Sequence, residues 1–285
     1  MFFLKLFFIF ICLIQTIVSS PIKFEKEIVK ERLPWVAKIY FEKNYICEAS
    51  LISNEFLLTV AHCFPKNQMD EESLKNYHIK FEFFYKNEKI AIKRNISQII
   101  IHKSYSRTST TKVNAFNIAL IKIDHKIVFN EYINAIQLPS YGNFTVTKIN
   151  GYFISHDVTK DDLITQSKLE TIEYKECLRK KILTMRKELS LWSFCALESS
   201  KNIINYPGSA YYFNNTIYGI RTQKPSIDGI LSYLKVSFYV NWITETIDRE
   251  STKEEIEIDD GSDFKIKIMT KSYKCFASVY CFYFT

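Results

Sequence analysis

Glycine is scarce in this sequence, with 6 glycines among 285 residues, which is about 2% where an average protein has roughly 7%. Because glycine takes positive φ angles without strain, few backbone positions here have that freedom or let another chain approach closely. Dense basic tracts and internal repeats are also missing, although the formal net charge is +7. Lysine and arginine are spread along the whole length, which argues against a nucleic-acid-binding protein.

The first twenty residues lack a hydrophobic run long enough for a membrane span. The apolar stretch Leu6–Val18, interrupted by Gln15, is shorter than the roughly 20 residues that a membrane-crossing helix needs. Lys5 precedes it and two serines follow it, which is the layout of a secretory signal peptide. We therefore predict a signal peptide over residues 1–20, a secreted, extracellular protein and no membrane anchor.

Cysteine usage agrees with export. The predicted signal peptide carries one of the seven cysteines, and an even number remains, which suits an oxidising compartment. These six cysteines, which can pair in 15 ways, are Cys47, Cys63, Cys177, Cys195, Cys275 and Cys281. Three Asn-X-Ser/Thr sequons, at Asn95, Asn143 and Asn214, predict N-glycosylation and are also typical of exported chains.

Short β-rich segments recur between polar breaks along most of the chain. Many short strands at such spacing predict an all-β barrel or sandwich. The segments are Val36–Phe41, Glu48–Thr59, Ile79–Tyr85, Ile90–Ile101, Ile118–Ile123, Lys148–Ser155, Trp192–Ala196, Tyr211–Ile220 and Ile230–Leu234. Apolar residues from Val236 to Ile247 then fall mostly at helical spacing, which predicts one amphipathic helix near the C-terminus.

The composition changes after Ile247, where an acidic run is followed by a basic and aromatic end. We predict that residues 249–285 are a tail outside the fold. Cys275 and Cys281 within it could close a small loop or bond to another chain, and the sequence does not choose between these.

Two short blocks resemble the histidine block of trypsin-like serine proteases. They are Cys47-Glu48-Ala49-Ser50-Leu51-Ile52-Ser53 and Leu58-Thr59-Val60-Ala61-His62-Cys63. The resemblance implies a disulfide between Cys47 and Cys63 that holds the loop of the general-base histidine, and it places His62 at that catalytic position.

Further blocks follow in the family's order, so the resemblance covers a predicted domain over residues 28–248. They are Pro34-Trp35, Asn117-Ile118-Ala119-Leu120-Ile121-Lys122, Ile136-Gln137-Leu138-Pro139, Lys175-Glu176-Cys177, Phe194-Cys195-Ala196 and Val236-Ser237-Phe238-Tyr239-Val240-Asn241-Trp242-Ile243. A second disulfide, Cys177 to Cys195, is implied. The family fold is all-β, with two six-stranded Greek-key β-barrels, the active site between them and a C-terminal helix.

The residues that the resemblance assigns to catalysis depart from the family's pattern. Hydrolysis by this triad needs a hydroxyl nucleophile, an imidazole base and a carboxylate that fixes the imidazole tautomer. The carboxylate position holds Asn117, and this change alone lowers turnover about 10⁴-fold in the family's triad. Counting back without gaps from Gly219, the serine position holds Pro207, which has neither a hydroxyl nor a backbone N–H.

Three further parts of the family's machinery are affected: the oxyanion hole, the activation step and the specificity pocket. The oxyanion hole uses the N–H of the nucleophile and of the residue two before it, so Pro207 removes a donor in either register, including one in which Ser209 is the nucleophile. Activation in the family pairs a freed Ile-Val terminus with an aspartate before the serine. Here Ile28-Val29 follows Glu27, and the aspartate position holds Tyr206. The cysteine at the specificity pocket is replaced near Ile203, and Lys201 lies about at the pocket floor.

We therefore expect a secreted, non-catalytic protease homologue that binds an extracellular protein partner, such as a protease or inhibitor, and regulates proteolysis. The alternatives are a weak or unconventional serine-type endopeptidase built on His62, and an interaction protein cross-linked by its cysteine-bearing tail. We expect a monomer without cofactor or nucleic acid. The remaining histidines, His78, His102, His125 and His156, show no spacing typical of a zinc site, so we predict no metal.

Overall fold

The protein is described here from a computed structural model. It describes residues 33–86, 88–106, 115–142, 150–157, 163–173, 175–177, 179, 192–197, 206–222 and 230–257. Within these residues the chain is built mostly of antiparallel strands, as the recurring short β-rich segments predicted.

Six strands close the first barrel in the order β1-β2-β3-β6-β5-β4. They are β1 Val36–Phe41, β2 Asn44–Leu51, β3 Phe56–Thr59, β4 Tyr77–Tyr85, β5 Glu88–Ile101 and β6 Ala119–Ile123. The hairpin-connected strands β1, β2 and β3 are followed by β4, which returns to pair with β1, and this is a Greek-key arrangement. Every residue of β3 and β6 is buried.

The second barrel repeats this order, since β7-β8-β9-β12-β11-β10 also closes on itself. Its strands are β7 Asn150–Asp157, β8 Leu163–Ile172, β9 Ser193–Leu197, β10 Ala210–Phe213, β11 Thr216–Arg221 and β12 Ile230–Lys235. The predicted fold of two six-stranded β-barrels is therefore confirmed. An edge contact between the rings of Trp35 and Tyr212, whose centroids lie 4.8 Å apart, joins the two barrels.

Aromatic side chains fill the second barrel where glycine leaves room for them. Tyr211 lies inside with Phe194 and Tyr233. A Cβ on Gly151 would lie 2.4 Å from the Tyr211 ring, and one on Gly219 would lie 2.6 Å from the Phe194 ring. These two glycines are therefore needed for packing, because a methyl group at either position overlaps a buried ring.

The strand predictions were incomplete in two ways. The segments Glu48–Thr59 and Tyr211–Ile220 each contain the end of one strand, a turn and a second strand. In the latter, Asn214 and Asn215 take positive φ angles of 46° and 54°, which suits a two-residue hairpin turn. Strand β8 was missed because it is largely polar, and among its residues 166–172 the buried side chains are the alternate ones of Leu169 and Thr171.

A single α-helical turn, α1, lies at Glu71–Leu74, and the C-terminal helix α2 spans Val240–Glu257. Asp70 caps α1 by accepting a hydrogen bond from the backbone of Ser73 at 2.8 Å. Helix α2 continues past residue 248, where the predicted domain ends. No glycine or proline lies between Val240 and Gly261 to stop the helix. The chain divides into two units, residues 1–243 and residues 244–285.

Candidate functional site

His62 lies on a short 3-10 turn, Ala61–Cys63, that directly follows β3 and Val60. A disulfide joins Cys63 to Cys47 of β2, with the two Cα atoms 6.2 Å apart, so the pairing implied by the resemblance is present. The two neighbours of His62 are buried, and its own ring is half-buried. The disulfide and these buried neighbours hold the imidazole at the edge of the first barrel.

Asn117 pairs with His62 through two hydrogen bonds that fix the orientation of its amide. Its Oδ1 accepts from the backbone N–H of His62 at 2.9 Å, and its Nδ2 lies 2.8 Å from His62 Nδ1. A backbone N–H can only donate, so the atom facing it must be the carbonyl oxygen, and the NH₂ group therefore points at the ring.

The consequence of this orientation is the tautomer of His62. An NH₂ group only donates, so Nδ1 of His62 accepts from Asn117 and carries no proton in the neutral ring. The proton then lies on Nε2. A catalytic base needs the opposite tautomer, in which Nδ1–H donates to a carboxylate and the Nε2 lone pair takes the proton of the nucleophile. As arranged, Nε2 of neutral His62 is a donor.

Burial is the main cause of the lowered pKa of His62, and a hydrogen bond donated to Nδ1 also favours the neutral ring. Asn117 is itself 1% exposed, so its amide is shielded from solvent. With the ordinary histidine pKa near 6.5 as the starting point, the imidazole is neutral at physiological pH.

The turn that carries Pro207 packs against β2 beside the Cys47–Cys63 disulfide. The N–H of Glu48, the residue after Cys47, donates to the carbonyl of Pro207 at 2.8 Å. The turn is closed by a hydrogen bond from the N–H of Ser209 to the carbonyl of Tyr206 at 3.2 Å. Pro207, which the resemblance places at the nucleophile position, is thus held at the same part of the first barrel as the turn that carries His62.

Gly208 is required in this turn. Its φ angle of +88° lies in the left-handed region, and a Cβ at this position would lie 1.9 Å from the carbonyl oxygen of Glu48. The turn and β2 are therefore in direct backbone contact, with no space for a side chain between them.

Ser209, the alternative nucleophile, is engaged elsewhere. Its hydroxyl donates to the carboxylate of Glu48, and the residue is 1% exposed. Among the residues that the structure describes, the side chain hydrogen-bonded to His62 is that of Asn117. The structure therefore does not pair Ser209 with His62.

Glu48 is the site residue that the sequence reasoning missed. It lies in the histidine block and was treated only as part of that motif. Its charge within the otherwise uncharged segment Tyr45–Leu51 was the signal that could have identified it, because a carboxylate in a buried strand requires partners.

The second predicted disulfide is also present. Cys177 and Cys195 are bonded, with Cα atoms 6.0 Å apart, and both are buried. Cys195 lies on β9, so the bond ties the segment after β8 to the second barrel. Cys275 and Cys281 lie outside the described residues.

The other histidines that the structure describes take part in packing or surface contacts. His78 stacks on Tyr40 at 5.2 Å, and His102 stacks on Phe116 at 4.8 Å. Burial is the main cause of the lowered pKa of both His78 and His102. His125 is exposed beside Asp124.

Two of the predicted glycosylation sites lie on the described surface. Asn95 is exposed on β5, and its Nδ2 donates to the carboxylate of Asp124 at 3.0 Å. Asn214 is exposed at the β10–β11 turn. Glycosylation of both stays a prediction. Asn143 lies outside the described residues, as do the predicted signal peptide, Ile28-Val29, Lys201 and Ile203.

The described part of the chain has neither a membrane-spanning helix nor a metal-binding cluster. None of the helices there has the length and hydropathy required to span a bilayer. Nor do three or more histidine, cysteine or acidic side chains cluster there in a way that could hold a metal ion.

Comparisons with known proteins agree with the geometry. The family model Trypsin matches residues 22–243. Human transmembrane protease serine 11B is 33% identical over 106 residues, which are 37% of this chain and 23% of that protein. Human transmembrane protease serine 11A is 32% identical over 111 residues, and the match again spans only 24% of that protein. CLIP domain-containing serine protease B4 of Anopheles gambiae is 25% identical over 253 residues, which are 76% of this chain and 68% of that protein.

Among solved structures, the scabies mite inactivated protease paralogue S-I1 superposes with a TM-score of 0.62. The superposition covers 77% of this chain and 96% of that one, at 18% sequence identity. At this identity the likeness concerns the fold, which is the same pair of barrels.

Proposed function

Because the chain belongs to the trypsin family, we propose that it is a secreted homologue which binds an extracellular protein through the surface around His62 and does not cleave it. The observation that carries this proposal is the pair of hydrogen bonds between Asn117 and His62. They place the proton of the neutral ring on Nε2, so the imidazole cannot accept a proton from a nucleophile.

The nucleophile position supports the same conclusion. Pro207 offers no hydroxyl for attack and no N–H for an oxyanion. Ser209 has a hydroxyl, but this hydroxyl is buried and donates to Glu48. Asn117 thus affects the base, and Pro207 affects both the nucleophile and one oxyanion donor, so correcting either residue alone leaves the other defect.

Secretion is supported by the signal-peptide pattern of residues 1–20 and by two disulfides, which persist in oxidising compartments. The scabies mite relative of the same fold is described as inactivated, so this fold is compatible with a role other than hydrolysis. A regulatory role in extracellular proteolysis, through binding to a protease or an inhibitor, is the function that these observations support best.

The catalytic part is tested with a serine-reactive fluorophosphonate probe on the purified secreted chain, beside His62→Ala. We expect no labelling of either form. Labelling of the unmodified chain that disappears in His62→Ala would show a working nucleophile and refute the proposal.

The binding part is tested by placing a photo-crosslinking amino acid at position 62 and, as a matched control, at position 128. Val128 is 86% exposed and His62 is half-buried, so a probe at either position has access to solvent. When each form is irradiated in the extracellular fluid that contains the protein, we expect one partner protein to become crosslinked to the chain with the probe at position 62, and not to the chain with the probe at position 128. Equal crosslinking from both positions, or none from position 62, would contradict binding through this surface.

A further inference from the structure

A buried carboxylate, that of Glu48, lies at the centre of the contact between β2 and the turn over residues 206–209. Glu48 is 1% exposed. Its Oε2 accepts a hydrogen bond from the hydroxyl of Ser209, and its Oε1 accepts one from the hydroxyl of Tyr45 at 2.9 Å. A buried carboxylate that lacked such partners would be strongly destabilising, so these bonds hold Glu48 and the turn together.

The backbone of Glu48 contacts the same turn. Its N–H donates to the carbonyl of Pro207 at 2.8 Å. Its carbonyl accepts from the hydroxyl of Thr59 at 2.6 Å, and it lies against Gly208, whose missing side chain allows the approach. Side chain and backbone of one residue therefore contact Pro207, Gly208 and Ser209 in succession.

An aromatic contact fixes the beginning of the turn. The rings of Tyr45 and Tyr206 have centroids 3.8 Å apart. Since the hydroxyl of Tyr45 donates to Glu48, the carboxylate also orients the ring on which Tyr206 packs. Every residue of the turn is thus connected to Glu48, either directly or through Tyr45. The turn also forms backbone hydrogen bonds with Arg221 of its own barrel.

Opposite charge lies next to the carboxylate. Lys38 of β1 is the register partner of Glu48 and is also 1% exposed. It forms an ion pair with Glu82 at 3.0 Å, which in turn lies 3.2 Å from Lys89 at the surface. The sign of the charge therefore alternates from Glu48 to Lys38, Glu82 and Lys89. The positive neighbour of Glu48 in the low-dielectric interior is Lys38, its register partner.

We infer that Glu48 is the positioning residue that fixes the turn over residues 206–209 on the first barrel, and that it does so without any activating cleavage of the chain. The inference rests on the proposed function, because this turn adjoins the surface by which the protein would bind. The surface is then assembled in the protein as synthesised. Tyr206 packs on Tyr45 and has no carboxylate that could pair with a newly freed N-terminus.

The test measures backbone hydrogen exchange by mass spectrometry in the full secreted chain. We expect Glu48→Gln to speed exchange of the Gly208 and Ser209 amides about tenfold or more, the change expected from losing a hydrogen bond to a charged group. The matched control is Glu55→Gln, because Glu55 is also a buried carboxylate of the first barrel but pairs with Lys126. Equal exchange of the turn in both variants would overturn the inference.

Two milder variants keep the test decisive if Glu48→Gln does not fold. Ser209→Ala and Tyr45→Phe each remove one hydroxyl partner of Glu48, and each should speed exchange in the turn while a peptide from the β4–β5 hairpin stays unchanged. Unchanged exchange of the turn in both variants, or an equal increase in the hairpin peptide, would contradict the positioning role.

The absence of an activation step is tested by comparing the chain that begins at Pro21 with one that begins at Ile28. We expect the same exchange rates for the turn in both. A tenfold slowing in the chain that begins at Ile28 would show that a freed terminus orders the turn, and would overturn this part. None of these measurements uses a substrate or a partner, so hydrolysis by the chain would refute the proposed function and leave the exchange results standing.

Discussion

Replacing Asn117 by aspartate should switch the tautomer of His62 and raise its pKa. In the native chain the amide NH₂ lies 2.8 Å from Nδ1 and donates to it. A carboxylate at that place accepts instead, so the ring proton must move to Nδ1. An opposite charge within about 4–6 Å shifts a pKa by roughly 1–3 units toward the charged form. This increase opposes the lowering that burial causes in the native chain.

The assay is an NMR titration of the chain labelled with ¹⁵N and ¹³C in its 5 histidines. The His62 signals are identified by their loss in His62→Gln. We expect native His62 to show the Nε2–H pattern at neutral pH, and Asn117→Asp to show the Nδ1–H pattern with a higher pKa. The pKa of His78, which stacks on Tyr40 in another part of the first barrel, should not change.

Either of two results would refute this reasoning. One is an Nδ1–H tautomer in the native chain, which would mean that the amide faces His62 the other way. The other is an unchanged His62 pKa in Asn117→Asp. The same variant should stay unlabelled by a fluorophosphonate probe, because Pro207 still provides no hydroxyl.

Three further predictions concern stability. Gly208→Ala should lower the free energy of unfolding by about 3 kcal/mol or more, since strain at a positive φ and overpacking each cost roughly 1–3 kcal/mol. Gly142→Ala, where nothing lies within 4 Å of the added Cβ, should cost only the strain, and equal losses in urea denaturation would contradict this. Removing the Cys47–Cys63 disulfide, which joins residues 16 apart, should cost about 3 kcal/mol in the same assay, and a loss under about 1 kcal/mol would oppose it. Because the folded pKa of His62 is lowered, the unfolded chain binds more protons, so stability should fall as the pH drops below about 6.5. His62→Gln should make that fall shallower in thermal melts at successive pH values, and an unchanged slope would contradict the assignment.

Much of the architecture could be predicted because the strands carry a strong apolar pattern. Strand β1 was predicted with its observed bounds, Val36–Phe41, and the completely apolar parts of β3 and β6 were included in predicted segments. Strand β8 gave no such signal, because most of its residues are polar. Its pairing with β7 and β9 decides its conformation. Tertiary pairing can impose a strand on a polar sequence, and local propensity then fails as a guide.

The candidate site, like the fold, could be predicted from the sequence only in part. His62 and its disulfide could be placed from a contiguous motif, since their geometry depends on neighbours in sequence. The role of Glu48 could not, because its partner Ser209 is 161 residues away. The orientation of the Asn117 amide likewise cannot be read from the sequence, since it depends on the backbone N–H of His62, which follows the neighbouring strand β3.

A replaced glycine and the proposed loss of catalysis both concern the turn over residues 206–209. The family's block around the serine reads Gly-Asp-Ser-Gly-Gly-Pro, and the resemblance that places Pro207 at the serine also places Ser209 at the second glycine after it. The hydroxyl of Ser209 binds Glu48. Pro207, which the resemblance places at the serine position, stiffens the same turn. Each departure thus adds a contact or a restraint to the present structure. Changing Pro207 to serine would place a hydroxyl on a turn that Glu48 still holds, beside a histidine whose Nε2 still carries the proton. Recovery of hydrolysis therefore requires simultaneous changes at Asn117 and in the turn, and no single substitution should produce it.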